Sequence, residues 1–251
     1  LLVNPPAGYV PEETSKVALK KKAVHNDVNW KDAIKTAEFW KLWAIFFVGS
    51  GAGLMVIASV AGLAKKSMGE FAFIAVAIMA VGNAGGRVIT GVMSDKFGRY
   101  QTVMGVHLFQ AVLMLAAIPL IGAQNTSALM IVLLATLIGF NYGANLALFP
   151  AITKDLWGIK AYGVNYGILF TSWGVGGFVL SKVSQMLKAT TGSMTSSFTL
   201  AAILLCTSGL LTLTLGAKEE EVPAGAIFHP ELGLTMANGG EKINPDEVKK
   251  S

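Results

Sequence analysis

Charge, cysteine and acidic residues within its apolar runs are what this sequence has least of. Only 14% of its 251 residues are Asp, Glu, Lys or Arg, against 53% hydrophobic, and the mean hydropathy is +0.57. A soluble domain of ordinary make-up does not show that balance. The single cysteine, Cys206, lies in an apolar run. It excludes a disulfide framework and reads as a small buried hydrophobe. Nothing pairs a nucleophile with a base, clusters metal ligands or builds a Gly-rich phosphate loop, so neither an enzyme nor a metal or cofactor is implied. A net charge of +5 would suit nucleic acid, but the basic residues sit in tails and short loops between apolar segments, where they read as topology signals instead. The chain opens on Leu1, with no basic region followed by a cleavage site, and reads as a piece of a longer protein.

What is abundant is continuous apolar sequence. Six stretches, near 40–64, 71–93, 102–122, 127–150, 163–187 and 195–216, are long enough to cross a hydrocarbon layer of about 30 Å, which takes roughly 20 helical residues. Barrel strands would alternate over about ten residues. These runs do not, so the expected fold is an all-α membrane protein of six transmembrane helices, in contact with the lipid bilayer. Gly49/Gly53, Gly82/Gly86, Gly139/Gly143 and Gly163/Gly167 each put two glycines on one helix face, where another backbone can approach closely.

Lysine and arginine are unequally shared between the loops. Lys16, Lys20, Lys21, Lys22, Lys31, Lys35 and Lys41 fall on one side with Lys96, Arg99, Lys154, Lys160, Lys218, Lys242, Lys249 and Lys250; Lys65, Lys66, Lys188 and the end-of-span Lys182 fall on the other. Both ends are therefore expected in the cytoplasm. The expected organisation is a cytoplasmic segment over 1–39, a six-helix bundle over 40–216 and a disordered tail over 217–251. Within the first, Asn29–Lys41 mixes Trp30, Ile34, Phe39 and Trp40 with charges, as either an interfacial or a solvated linker helix would.

The most specific motif is Gly91-Val-Met-Ser-Asp95-Lys96-Phe-Gly98-Arg99 in the turn after the second span. Gly91 would admit a neighbouring helix, Gly98 a tight turn, and Asp95 would accept charged or helix-terminal hydrogen bonds, a latch that can close and release. Arg87 lies inside the second span, eight residues before Asp95, or about 12 Å along the helix, with Asn83 one turn beyond it on the same face. Placing an arginine there costs about 2.5–3.5 kcal/mol on insertion scales. It is met either by an anion bound to the planar guanidinium or by an acid outside these six stretches, since none of them contains Asp or Glu. Asn141, Tyr142 and Asn145 in the fourth span and Asn165, Tyr166, Phe170, Thr171, Ser172 and Trp173 in the fifth suit either a small-ligand cavity or bonds between helices. His107 in the third span reads as a packed histidine before a proton carrier.

The signature turn resembles the major facilitator pattern GxxxD(R/K)xG(R/K). With PPAGY, TAEFWKLW, GGRVITGVMSDKFGR and NYGANLALFPAITKDLWGIKAYGVNYGILFTSWGVGG, residues 4 to 180 resemble the C-terminal half of the oxalate:formate antiporter family. The resemblance implies carboxylate transport by alternating access, with an N-terminal six-helix half of the same protein as partner. It also implies a substrate arginine, matched by Arg87, and a substrate lysine, whose place is taken by Trp173. The expected substrate is thus a small carboxylate anion, a monocarboxylate before a dicarboxylate, bound by Arg87, Asn83, Tyr142, Asn145, Phe170 and Trp173. Gly91, Asp95, Lys96, Gly98 and Arg99 would form the gate. The rival reading is a non-transporting membrane receptor or assembly protein.

Overall fold

The computed structural model describes residues 27–122, 127–215, 226–229 and 233–236. The helical unit, His25–Gly216, contains α1 (Trp30–Ala33), α2 (Ala37–Met68), α3 (Ala72–Phe97), α4 (Arg99–Gly122), α5 (Ala128–Trp157), α6 (Tyr162–Thr191) and α7 (Thr195–Leu211). All backbone groups of a lipid-exposed segment must be satisfied internally, which is why such apolar runs become uninterrupted helices. Five helices are long and apolar enough to cross a membrane, over Ala37–Ile57, Gly69–Phe97, Arg99–Leu120, Ala128–Trp157 and Thr195–Thr214. The remaining one, α6, is 30 residues long, but Asn165, Thr171, Ser172, Ser181, Lys182, Ser184 and Gln185 dilute its apolar content.

The interfacial helix expected over Asn29–Lys41 is broken in two. Thr36 Oγ1 donates to Ala33 O at 2.7 Å and accepts from Phe39 N at 3.3 Å, so the same hydroxyl closes the four-residue α1 and caps α2. The chain before α1 is tied to the α5–α6 turn. Asp27 Oδ1 accepts from Ile159 N and Lys160 N, each at 3.1 Å; Val28 N donates to Trp157 O at 3.1 Å, and Asn165 Nδ2 donates to Val28 O at 2.9 Å. Segment 27–36 is thus built into the helical unit, short of the boundary expected at 39. Residues 1–26 and most of the tail, with its expected disorder, lie outside the described residues. Within the tail, in a separate unit, β1 (Ala226–His229) and β2 (Gly233–Met236) pair antiparallel, Ala226 opposite Met236 and His229 opposite Gly233.

The helices associate chiefly as α3 with α5, α2 with α6 and α4 with α7. Small residues make the first two pairings close. A Cβ on Gly82 would overlap Thr136 O, one on Gly86 the carbonyl of Phe140, one on Gly139 that of Met79, and one on Gly143 that of Asn83. On the α2–α6 contact, Gly51 would meet Gly176 O at 2.6 Å, a pair that lies outside the repeated glycine spacing in the sequence. Gly49 and Gly53 face side chains, His107 and Tyr142 respectively. Gly163 and Gly167 have nothing within 4 Å, so that pair marks no contact among the described residues. Cys206 is exposed on α7, contrary to its reading as a buried residue.

Gly86→Leu should force α3 away from α5 and lower stability by about 2 kcal/mol or more, whereas Gly167→Ala should leave it unchanged or raise it by up to about 1 kcal/mol through helix propensity. Thermal unfolding of the full-length protein in detergent checks both; equal effects would show that the α3–α5 approach is not tight.

Candidate functional site

The glycine contact decides what stands beside Arg87. Gly86 packs against the Phe140 backbone and Gly143 against the Asn83 backbone, so Asn83 and Arg87 on α3 sit level with Tyr142 at the middle of α5. Arg87 is exposed, and its Nε donates to Asn83 Oδ1 at 3.2 Å. No carboxylate among the described residues pairs with it.

Opposite stands an aromatic ladder on α6. Tyr162 and Tyr166 stack at 6.0 Å, Tyr166 meets Phe170 at 5.5 Å, and Phe170 stacks on Trp173 at 5.2 Å with planes 10° apart. Each ring is half-buried and offers part of a face. Trp173 Nε1 donates to Tyr142 Oη at 2.8 Å, joining α6 to α5. Phe46 of α2, stacked at 4.0 Å on Phe149, backs Phe170 at 5.9 Å. Tyr162 is not among the residues expected here, although its spacing of four from Tyr166, continued to Phe170, is the signal of a shared helix face.

Asn145, expected to line the cavity, is fully buried behind it. Its Nδ2 donates to Asn141 O at 3.0 Å, which leaves Oδ1 as acceptor for His107 Nε2 at 2.9 Å. The ring proton therefore sits on Nε2, and Nδ1, 2.9 Å from Ser208 Oγ, accepts from that hydroxyl. His107 is a packed, neutral, doubly bonded link between α4, α5 and α7. Gly49 makes room for it: a Cβ there would overlap the imidazole. One turn further along α4, the buried amide of Gln110 has no hydrogen-bond partner, and neither has Asn141 Oδ1.

At the other candidate cluster, Gly98 has φ 98°, open to glycine but strained for L side chains, and lets α4 begin immediately after α3. Arg99 then reaches three partners. It pairs with Asp95 at 2.7 Å, with Asp155 of α5 at 2.8 Å, and donates to Ser94 Oγ. Asp155 is the better-covered carboxylate, its side chain 36% exposed against 67% for Asp95. It was missed in sequence because 56 positions separate it from Arg99. Lys96 lies over the Phe97 ring at 5.5 Å. Gly91 has nothing within 4 Å, so the helix expected against it is not among the described residues.

A bundle of helices long and apolar enough to cross a membrane, with an arginine that has no carboxylate partner among the described residues and a charged turn at one end, has the form of a multi-pass membrane domain. The profile of the Major Facilitator Superfamily matches residues 1–181 and, in an overlapping register, 54–234; the chain belongs to this superfamily. It is 34% identical over 149 residues to the oxalate:formate antiporter of Oxalobacter formigenes, covering 58% of this chain and 35% of the relative. It is 24% identical over 160 residues to the uncharacterized MFS-type transporter YhjX of Escherichia coli (strain K12), covering 61% and 38%. With the MFS transporter asaE of Aspergillus flavus it shares 34% identity over 107 residues, 43% of this chain and 23% of the relative. The chain thus spans well under half the length of these curated relatives, which are transporters by name.

Asn145→Leu removes the acceptor of the His107 N–H and should cost about 1–3 kcal/mol, the desolvation penalty of a buried donor left alone. Thermal unfolding in detergent reads it, and an unchanged midpoint would show that this link carries no stability.

Proposed function

We propose that the chain is the C-terminal six-helix half of a secondary carrier that moves small carboxylate anions across the plasma membrane by alternating access with an N-terminal six-helix half. The observation that carries this reading is the Arg87 guanidinium, placed inside an apolar helix beside Tyr142 and the α6 aromatics without a carboxylate partner among the described residues. A cation inside a membrane-crossing helix calls for an anion, and the planar fork of arginine suits a carboxylate. Asn83 steadies the guanidinium through Nε, leaving the terminal nitrogens for substrate. Tyr142, Phe170 and Trp173 wall the site, while Asn145 acts from behind by holding the α5 turn that carries Tyr142.

The oxalate:formate antiporter is named for a dianion and a monoanion. Here Trp173 stands where the family resemblance places a second cation, so a second carboxylate would enter a poorly hydrated site unpaired, at a cost of several kcal/mol. A monocarboxylate such as formate, lactate or pyruvate avoids that cost. Exchange of anions is favoured over proton symport: α3, α5 and α6 carry no Asp or Glu near Arg87, and His107 is closed into neutral hydrogen bonds. Support for cytoplasmic ends comes from the grouping of Lys41, which donates to Thr214 O at 3.2 Å, with the basic loops around Arg99 and Lys160.

Arg87→Ala should weaken formate binding by about a thousandfold in the purified full-length carrier, since a charge pair at about 4 Å and an effective dielectric near 20 is worth about 4 kcal/mol. Arg87→Lys should recover only part of it. In competition, oxalate should displace labelled formate only at higher concentration than formate itself; displacement at equal or lower concentration would overturn the monocarboxylate assignment.

Asp95→Asn removes one limb of the Arg99 network without touching the substrate site, and should slow turnover severalfold in liposomes with the binding constant unchanged. Normal turnover would remove Asp95 from the gate.

A further inference from the structure

The Trp173–Tyr142 hydrogen bond does more than close a wall. A phenol O–H lies in the plane of its ring and has two such orientations, half a turn apart. The indole N–H of Trp173, 2.8 Å from Tyr142 Oη, can only donate. It occupies an acceptor position on the oxygen and bars the hydroxyl proton from that side. The proton is left on the edge away from Trp173, on a phenol that the α3–α5 glycine contacts set level with Arg87. An anion neutralising Arg87 is then the acceptor within reach. Stacking on Phe170 at 5.2 Å and 10° fixes the plane of the indole and hence the direction of its N–H.

We propose that Trp173 is a positioning residue that converts Tyr142 into a dedicated hydrogen-bond donor, so that the site holds its anion with one guanidinium and one oriented phenol. The proposal rests on the carboxylate reading of Arg87 and deepens it. A lysine at position 173 would bring a second charge. The tryptophan brings none and instead tunes a neutral donor, which fits one carboxylate group carrying a compact apolar remainder laid against the Phe170–Trp173 stack. It also assigns the indole nitrogen a role separate from that of the indole surface: the surface narrows the cavity, the nitrogen aims the phenol.

The test is a double-substitution cycle in the purified full-length carrier, with labelled formate as probe. Trp173→Phe keeps a stacked ring and removes the N–H; Tyr142→Phe removes the hydroxyl that it orients. Each should weaken formate binding about fivefold, the worth of one hydrogen bond, and the double variant should be no weaker than the weaker single, because both delete the same donor. Replacing Trp173 by its isostere with sulfur in place of the indole N–H keeps shape and stacking; it should reproduce the fivefold loss while leaving the unfolding midpoint within about a degree. Losses that multiply in the double variant, or unaltered affinity with the sulfur isostere, would overturn the positioning role. Arg87→Ala in the same assay separates the two levels: if it binds formate as the parent does, the anion site itself is wrong, whereas a large loss there with a multiplicative cycle removes only the role of Trp173.

Discussion

Backbone lies against backbone where α3 crosses α5, and the geometry of the candidate site follows from that contact. Gly82, Gly86, Gly139 and Gly143 interleave so that each faces a carbonyl of the other helix. In lipid, where hydrophobic burial offers no drive for helix association, such close packing supplies the dispersion that holds two helices together. The contact also fixes height and rotation. Asn83 and Arg87 are carried on the residues beside it on α3, Tyr142 on the residue beside it on α5, so the cation and the phenol stand at one level of the bundle. From Tyr142 the connection passes to Trp173 on α6, and from Asn145, one turn on, to His107 and Ser208. Helix α5 thereby touches α2, α3, α4 and α6.

The lower apolarity of α6 belongs to the same arrangement. Several of its buried polar groups are answered locally or by neighbours: Ser172 Oγ donates to Leu169 O, Ser184 O accepts from Ser197 Oγ, and Asn165 Nδ2 donates to Val28 O, while Asn165 Oδ1 has no partner among the described residues. Its close approach to α2 runs through Gly51 and Gly176. A helix whose buried side turns polar groups to its own bundle need not be apolar all round, and α6 alone of the long helices falls short as a membrane span on composition.

At the opposite end of α3 the charges are organised around one side chain. Arg99 joins Ser94 and Asp95, at the end of its own helical hairpin, to Asp155 at the end of α5. The inner limb is shielded and the outer one lies in the open, where an ion pair is worth less and is more easily exchanged. The α3–α5 pair is thus tied twice, by glycine packing within the apolar layer and by charge at its edge, and Asp27 ties the α5–α6 turn in the same way through backbone amides.

Much of this was legible in the chain itself. Length and apolarity specify helices, because lipid leaves an apolar segment no other way to satisfy its backbone; the spacing of Gly82/Gly86 and Gly139/Gly143 marked the faces that meet; and an arginine among apolar residues marked itself. Other features depended on which helices become neighbours. Gly163/Gly167 has the same spacing as the pairs that pack and packs on nothing described, since a small face reports capacity for contact and not the presence of a partner. Asn145 turned inward to His107 although Tyr142, three residues earlier, turned to Trp173 on α6, a difference of rotation about one helix that neighbours decide. Asp155 gained its role from an arginine 56 positions away. Composition and periodicity are local and survive in the sequence; pairing across the bundle is a property of the packed helices, and only the tertiary structure decides it.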